Sequence, residues 1–332
     1  MVQTNLAQAV EAADAASTYD ANVKYLLADR QILARILKYA VSEFRHMEIE
    51  EIMPGIGPEI EIGERPVDAG LSNLGRIKEG NTEDNVPGEG KIYYDIRFTA
   101  YQKQKEMKFL INIEAQKSSD TAKLGYHLEN RIIFYLSRMV SAQKQTEFFH
   151  SDYDNLKKVR SIWICMDGNR TDGDSIEEIS LERKTVFGNR QSTSDIDLIK
   201  GIVIHIRNGR NYKTSQNKLI SMLEGLLSQI EPEEKKRILS EEYGLVMTTA
   251  LEGRIQTMCN LSENIIELGM EKGMEKGIEK GIEKGMREGI QKERMDAIER
   301  MVKAGASKEQ ILSYGYTEEE YRKSQESLLF NH

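Results

Sequence analysis

The stretch YYDIRFTAYQKQKEMKFLINIEAQKSS, residues 93–119, gathers two acids and an amide where a hairpin is predicted. Strand side chains alternate between faces. Tyr93, Asp95, Arg97 and Thr99 therefore share one face of the first strand, and Asn112, Glu114 and Gln116 share one face of the second. Asp95 and Glu114 lie symmetrically about a turn at Gln104–Lys105. In a simple antiparallel pair they become cross-strand neighbours with Cβ atoms ~5 Å apart. Like charges so placed destabilise a sheet and raise carboxyl pKa values. A divalent cation between them removes that cost, and carboxylate oxygens suit Mg²⁺ (or Mn²⁺), which also takes waters and phosphate oxygens. Gln116, on the same face, can orient a water. Such a site makes water nucleophilic and offsets negative charge developing on a phosphate. Without that chemistry, the same three residues read as a solvated polar sheet face.

The hairpin needs elements to hold it. Residues 29–47, DRQILARILKYAVSEFRHM, predict an amphipathic helix with rows Ile32, Ile36, Ala40, Phe44 and Leu33, Leu37, Val41. Continued at 100° per residue, that helix sets Glu43 at the edge of its apolar stripe, so an acid would point toward the core. The hairpin strands are expected at about 92–100 and 107–116, followed by a helix over TAKLGYHLENRIIFYLSRMVSAQKQ. Its Arg131, Tyr135 and Arg138 form a polar stripe beside an apolar one. VRSIWICM predicts a buried strand by its continuous apolar run, and ISLERKTVF and KGIVIHIR predict two more. The order is helix, strand, hairpin, helix, strand: a mixed α/β sheet.

The chain has 332 residues and a net charge of −8, which does not advertise nucleic acid. The charge is uneven, however. Residues 48–92 carry eleven acids against four bases, and residues 198–223 carry Lys200, Arg207, Arg210, Lys213 and Lys218 with no acid. The first of these segments also holds four of the five prolines and reads as an acidic Pro/Gly-rich insertion, 48–91, with one short strand near PEIEIG. Cys165 and Cys259 lack the spacing of a zinc or disulfide framework. No segment predicts a membrane span, and the first residues lack a secretory pattern, so a cytoplasmic protein is expected.

Residues 1–20 read as a flexible tail, 21–210 as the α/β domain, 211–264 as a helical region and 301–332 as a short helical tail. Between them, residues 265–300 repeat every four positions, GMEKGMEKGIEKGIEKGMREGIQK, with glycine at 269, 273, 277, 281, 285 and 289. Glycine costs roughly 1 kcal/mol against alanine in a helix interior. Such a helix is either a tolerated spacer or a self-association stalk of coiled-coil type.

ILARILKYAVSEF, NTEDNVPGEGKIYYDIRF, INIEAQK and SDYDNLKKVRSIWICM together resemble the PD-(D/E)xK nuclease family transposases, related to the Rpn recombination-promoting nucleases of bacteria and their mobile elements. The resemblance runs from about Asp29 to Arg207. It implies a restriction-endonuclease-like core of order αβββαβ with a C-terminal all-helical extension. It also implies a Mg²⁺-dependent DNA endonuclease, a phosphodiester hydrolase of transposase or recombination type. Asp95 and Glu114 would hold the metal, Gln116 would stand where the motif has lysine, and Glu43 would be the acid of the first helix. Arg131, Tyr135, Lys200, Arg207 and Arg210 would touch the nucleic-acid backbone. The alternative is a catalytically degenerate nuclease fold that binds DNA or protein, oligomerised by its C-terminal helix. Gln116 is the departure that feeds this alternative, since an amide orients water but carries no charge.

Overall fold

A computed structural model describes residues 17–63, 83–86, 90–102, 105–168, 174–189, 194–207 and 215–330. Helix α1 (17–27) opens the described chain, so helix is already present within the segment expected to be a tail. Helix α2 (Arg30–Ala40) begins at Asp29, whose carboxylate accepts from the Gln31 amide. It ends sooner than its pattern predicts. Val41 is extended (φ −105°, ψ 115°), and Ser42–Phe44 forms a separate 3₁₀ turn. A short helix α3 (Ile49–Ile52) leads into strand β1 (Ile56–Ile62). Strands β2 (Glu83–Val86) and β3 (Gly90–Tyr93) make a two-stranded sheet of their own.

The hairpin consists of β4 (Ile96–Gln102) and β5 (Met107–Gln116). Helices α4 (Thr121–Leu124) and α5 (Leu128–Ser141) follow, separated at Gly125, whose φ of 78° stops the single helix that the pattern predicts. Then come β6 (Lys158–Gly168), β7 (Ser175–Ser180) and β8 (Ile199–Arg207). The strand expected at ISLERKTVF is confined to its first two residues. Leu181, Val186 and Phe187 beyond it are exposed. Helices α6 (Lys218–Leu227), α7 (Pro232–Glu241), α8 (Thr249–Lys303), α9 (Lys308–Ser313) and α10 (Glu318–Phe330) complete the chain.

The fold is mixed α/β around a six-stranded sheet of order β1-β4-β5-β6-β8-β7. β1, β4 and β5 are antiparallel neighbours, β5, β6 and β8 run parallel, and β7 closes the edge antiparallel to β8. Alternation gives the sheet two apolar faces. Ile111, Ile113, Ile162, Ile164, Ile202 and Ile204 face α2 and α6, together with Leu239 of α7 and Leu251, Ile255 and Met258 of α8. The helical region after residue 210 thus supplies part of the same core. Leu110, Val159, Trp163, Cys165 and Val203 face α5 through Leu128, Ile132, Leu136 and Met139. Both faces are covered, as the near-continuous apolar runs of parallel strands require.

Two compact units divide the chain at Ile265/Ile266. Within the second, Arg294 binds Glu320 at 2.6 Å and the Gly315 carbonyl at 2.9 Å, and Ile298 and Ile311 are buried. No helix among the described residues is long and apolar enough to cross a membrane.

Gly63, just past β1, fixes the approach to the hairpin. Its N–H donates to the Asp95 carbonyl at 2.8 Å, and a Cβ added there would lie 2.1 Å from the Tyr94 carbonyl oxygen. Gly63→Ala is expected to cost about 1–3 kcal/mol, because backbone must shift to admit one methyl. A lower urea midpoint at unchanged slope, read from Trp163, the one tryptophan of the chain, checks this.

Candidate active site

The hairpin register is the one that turn symmetry predicts: Ile96 lies opposite Ile113, which brings Asp95 beside Glu114. Asp95 itself sits in a bend between β3 and β4 rather than inside a strand. That bend changes how the acids meet. The Asp95 N–H donates to Glu114 Oε1 at 3.1 Å, and the Ala115 N–H donates to Asp95 Oδ2 at 3.1 Å. Each carboxylate accepts a ladder N–H from the other strand, so the two acids serve in place of backbone carbonyls. Asp95 and Glu114 are 3% and 0% exposed, so they are not a solvated sheet face.

Three cations and amides surround the pair. Lys24 of α1 reaches Asp95 Oδ1 at 2.8 Å and also donates to the Gly63 carbonyl at 3.2 Å. Arg131 of α5 stands 3.8 Å from Glu114 Oε2. Its guanidinium lies over both Tyr135 and Trp163, 5.1 Å from each ring centre, and donates to the Tyr135 and Tyr126 hydroxyls at 3.0 Å. Gln116, register partner of Cys165 on β6, is buried, and among the described residues its Nε2 has no hydrogen-bond partner. Among the described residues Glu114 Oε2 likewise makes no hydrogen bond. Deeper on the same face, Asn112 and the Trp163 indole both donate to Ser161 Oγ, at 3.2 and 2.8 Å.

Burial, and then the charge of Asp95, push the Glu114 carboxyl up to about 8, against the lowering effect of the Asp95 N–H and Arg131. Burial and Glu114 raise the Tyr135 phenol. Burial also pushes the Cys165 thiol up to about 12, which leaves it inert as a nucleophile.

Glu43 is not part of this site. It lies on the 3₁₀ turn after α2, bonded to Arg160 of β6 and 3.9 Å from Lys158. Arg160 shares its sheet face with Ile162 and Ile164 and lies over Phe109, on the α2 side. The acids face α5 instead. Glu43 does turn inward, onto the buried Arg160, but α2 and the turn after it pack on the opposite face of the sheet from the acids.

Lys200 and Arg207 are engaged elsewhere. Lys200 binds Ser42, Asp197 and Glu178, and Arg207 binds Glu224. These two members of the basic strip are thus paired with acids outside it. Arg210 lies outside the described residues. Of the residues expected at the nucleic-acid backbone, Arg131 and Tyr135 are the two that stand beside the acids.

Lys24 was not foreseen. Its segment, YDANVKYLL, places it between Val23 and Leu26–Leu27, all now buried. A charged residue on an apolar stripe was the signal that singled out Glu43, and it applies equally here.

No family model, curated protein or solved structure matches the chain. The site therefore has to be judged on its own chemistry. The two carboxylates, with Glu114 Oε2 free of hydrogen bonds among the described residues, are oxygen donors of the kind a hard divalent cation takes, whereas Gln116 Nε2 is an N–H donor and suits a water or phosphate oxygen. Among the described residues no third acid, histidine or cysteine joins them.

The raised Glu114 carboxyl ties stability to pH. Between its ordinary value of 4.5 and about 8, the folded chain keeps a proton that the unfolded chain has released. Stability without metal should therefore fall as pH rises through that window. Glu114→Gln should flatten this part of the profile, and urea unfolding at pH 5, 6.5 and 8 reads the difference.

Proposed function

We propose that the chain is a divalent-metal-dependent endonuclease acting on DNA, of the transposase or recombination-promoting type. The observation that carries the reading is the buried Asp95–Glu114 pair at the open end of an antiparallel hairpin, beside a parallel strand and with Gln116 one pleat away. The elements α2, β1, β4, β5, α5 and β6 follow the order αβββαβ, with β2 and β3 inserted, which supports a restriction-endonuclease-like core. Asp95 and Glu114 would hold Mg²⁺ or Mn²⁺. The metal would supply charge for the phosphate and activation of water. Gln116 Nε2 would orient a water or a phosphate oxygen. Arg131, laid over two aromatic rings and bonded to two tyrosine hydroxyls, offers a positioned cation to the nucleic-acid backbone.

One observation favours the second reading, a non-cleaving DNA- or protein-binding module. Asp95 is already paired with Lys24, and Glu114 has no exposed surface. Plasmid nicking separates the two. Wild type with Mg²⁺ should nick supercoiled DNA, chelation should abolish it, and Asp95→Ala should lower it by about 10²-fold or more. Wild type that binds plasmid without nicking it would favour the module.

We also infer self-association through the repeat. At 100° per residue, a four-residue repeat sets Gly, Met/Ile, Glu and Lys in four rows around the helix, drifting about 40° per repeat. Met274, Ile278, Ile282, Met286 and Ile290 are each more than half exposed, and beside them Gly277, Gly281, Gly285 and Gly289 open onto empty space. The partner that fits is a second copy in parallel register. Parallel pairing sets the apolar row of one helix over the glycine notch of the other and the Lys flank of each against the Glu flank of its partner. Sedimentation of full-length protein should give a dimer, and Ile278→Lys with Ile282→Lys a monomer with the same circular dichroism. A wild-type monomer at 50–100 µM, roughly the range in which weak pairs form, would reduce the repeat to a spacer.

A further inference from the structure

Helix α1 reaches the acid pair from outside the hairpin with two charged side chains one turn apart. Asp20 pairs with Lys117 at 3.1 Å, and Lys24 pairs with Asp95 at 2.8 Å. Lys24 is only 6% exposed. An ammonium so buried is costly unless its protons are bonded. Its partners among the described residues are Asp95 and the Gly63 carbonyl, which leaves one of three donors uncommitted.

Resting on the nuclease reading above, we propose that Lys24 is a mobile counter-ion. It holds Asp95 while the acid pair carries no metal, and turns its ammonium to the substrate phosphate once Asp95 is given over to a divalent cation.

Three observations lead there. First, Lys24 stands 2.8 Å from Asp95 Oδ1 and the Ala115 N–H donates to Oδ2, so a divalent cation taken by Asp95 would lie beside the ammonium on the same carboxylate and repel it. Second, the other cation at the pair, Arg131, is fixed by two hydroxyls and two rings and cannot make that exchange. Lys24 sits on a flexible four-carbon stem and can. Third, Gln116 brings an amide and no charge, so the acids' own strand offers nothing cationic to negative charge developing on a phosphate.

The test uses the full chain and Mn²⁺ as probe. Calorimetric titration without DNA should show Lys24→Met binding Mn²⁺ about fivefold or more tightly than wild type, because no ammonium repels the cation. The same variant should nick plasmid about 10²-fold more slowly. Wild-type Mn²⁺ affinity in the variant, or wild-type nicking by it, overturns the proposal and leaves the nuclease reading intact. Wild type that neither binds Mn²⁺ nor nicks overturns both. Should Lys24→Met fail to fold, the wild type decides by amine acetylation and peptide mass spectrometry. Labelling of Lys24 should rise several-fold on adding Mn²⁺, with Lys235, buried against the Leu226 and Ser228 carbonyls, as the unchanged control. Labelling of Lys24 indifferent to Mn²⁺ overturns the proposal.

Discussion

The exchange of backbone N–H groups between Asp95 and Glu114 is the constraint on which the site depends. Two carboxylates are driven together by hairpin register, yet a bare pair of like charges cannot persist inside a sheet. Here each accepts an N–H of the other strand, one takes a lysine, and the other tends to keep its proton. The bend at Tyr94–Asp95 makes the exchange possible, since it swings the aspartate into the ladder in place of a carbonyl. Gly63 allows the close backbone approach behind that bend.

Around that exchange, the two faces of the sheet divide the labour. The α2 face is a continuous aliphatic core completed by helices from the far end of the first unit. Of its charged members, Glu43 pairs with Arg160, and Arg160 and Lys200 both pair with Asp197 at its edge. The α5 face is built differently, from Tyr94, Tyr135 and Trp163 set edge to face, with Arg131 laid over two of the rings. Aromatic rings exclude water from Glu114 while tolerating a cation, which suits a carboxyl whose charge has to be compensated.

The beginning of the chain matters more to this site than its distance in sequence suggests. Asp20 and Lys24 lie roughly 70 residues or more before the acid pair's strands, yet they meet Lys117 and Asp95 directly. A buried ion pair of this kind adds little net stability against an apolar equivalent, whereas removing one partner is costly, about 3–5 kcal/mol. Its retention is more readily understood as positioning than as stabilisation.

The amino-acid pattern by itself determined the sheet's central strands, the hairpin register, and which residues of β5 share a face. All of these follow from period-two alternation and from symmetry about a turn. It also located helix α2 and the unusual exposure of the repeat, whose apolar row is too narrow to bury itself. It did not determine where helices stop. Val41 and Gly125 end two of them through local backbone conformation, and it is the packing of α2 on the other face of the sheet that keeps Glu43 from the site. Nor did it tell which charges would meet: Lys200 and Arg207 looked free because their partners Asp197, Glu178 and Glu224 are on other elements or turns, and nothing local to Lys24 pointed to Asp95. Long-range pairing of charges is decided by packing geometry, which no local spacing records, and only the tertiary structure set Lys24 against Asp95.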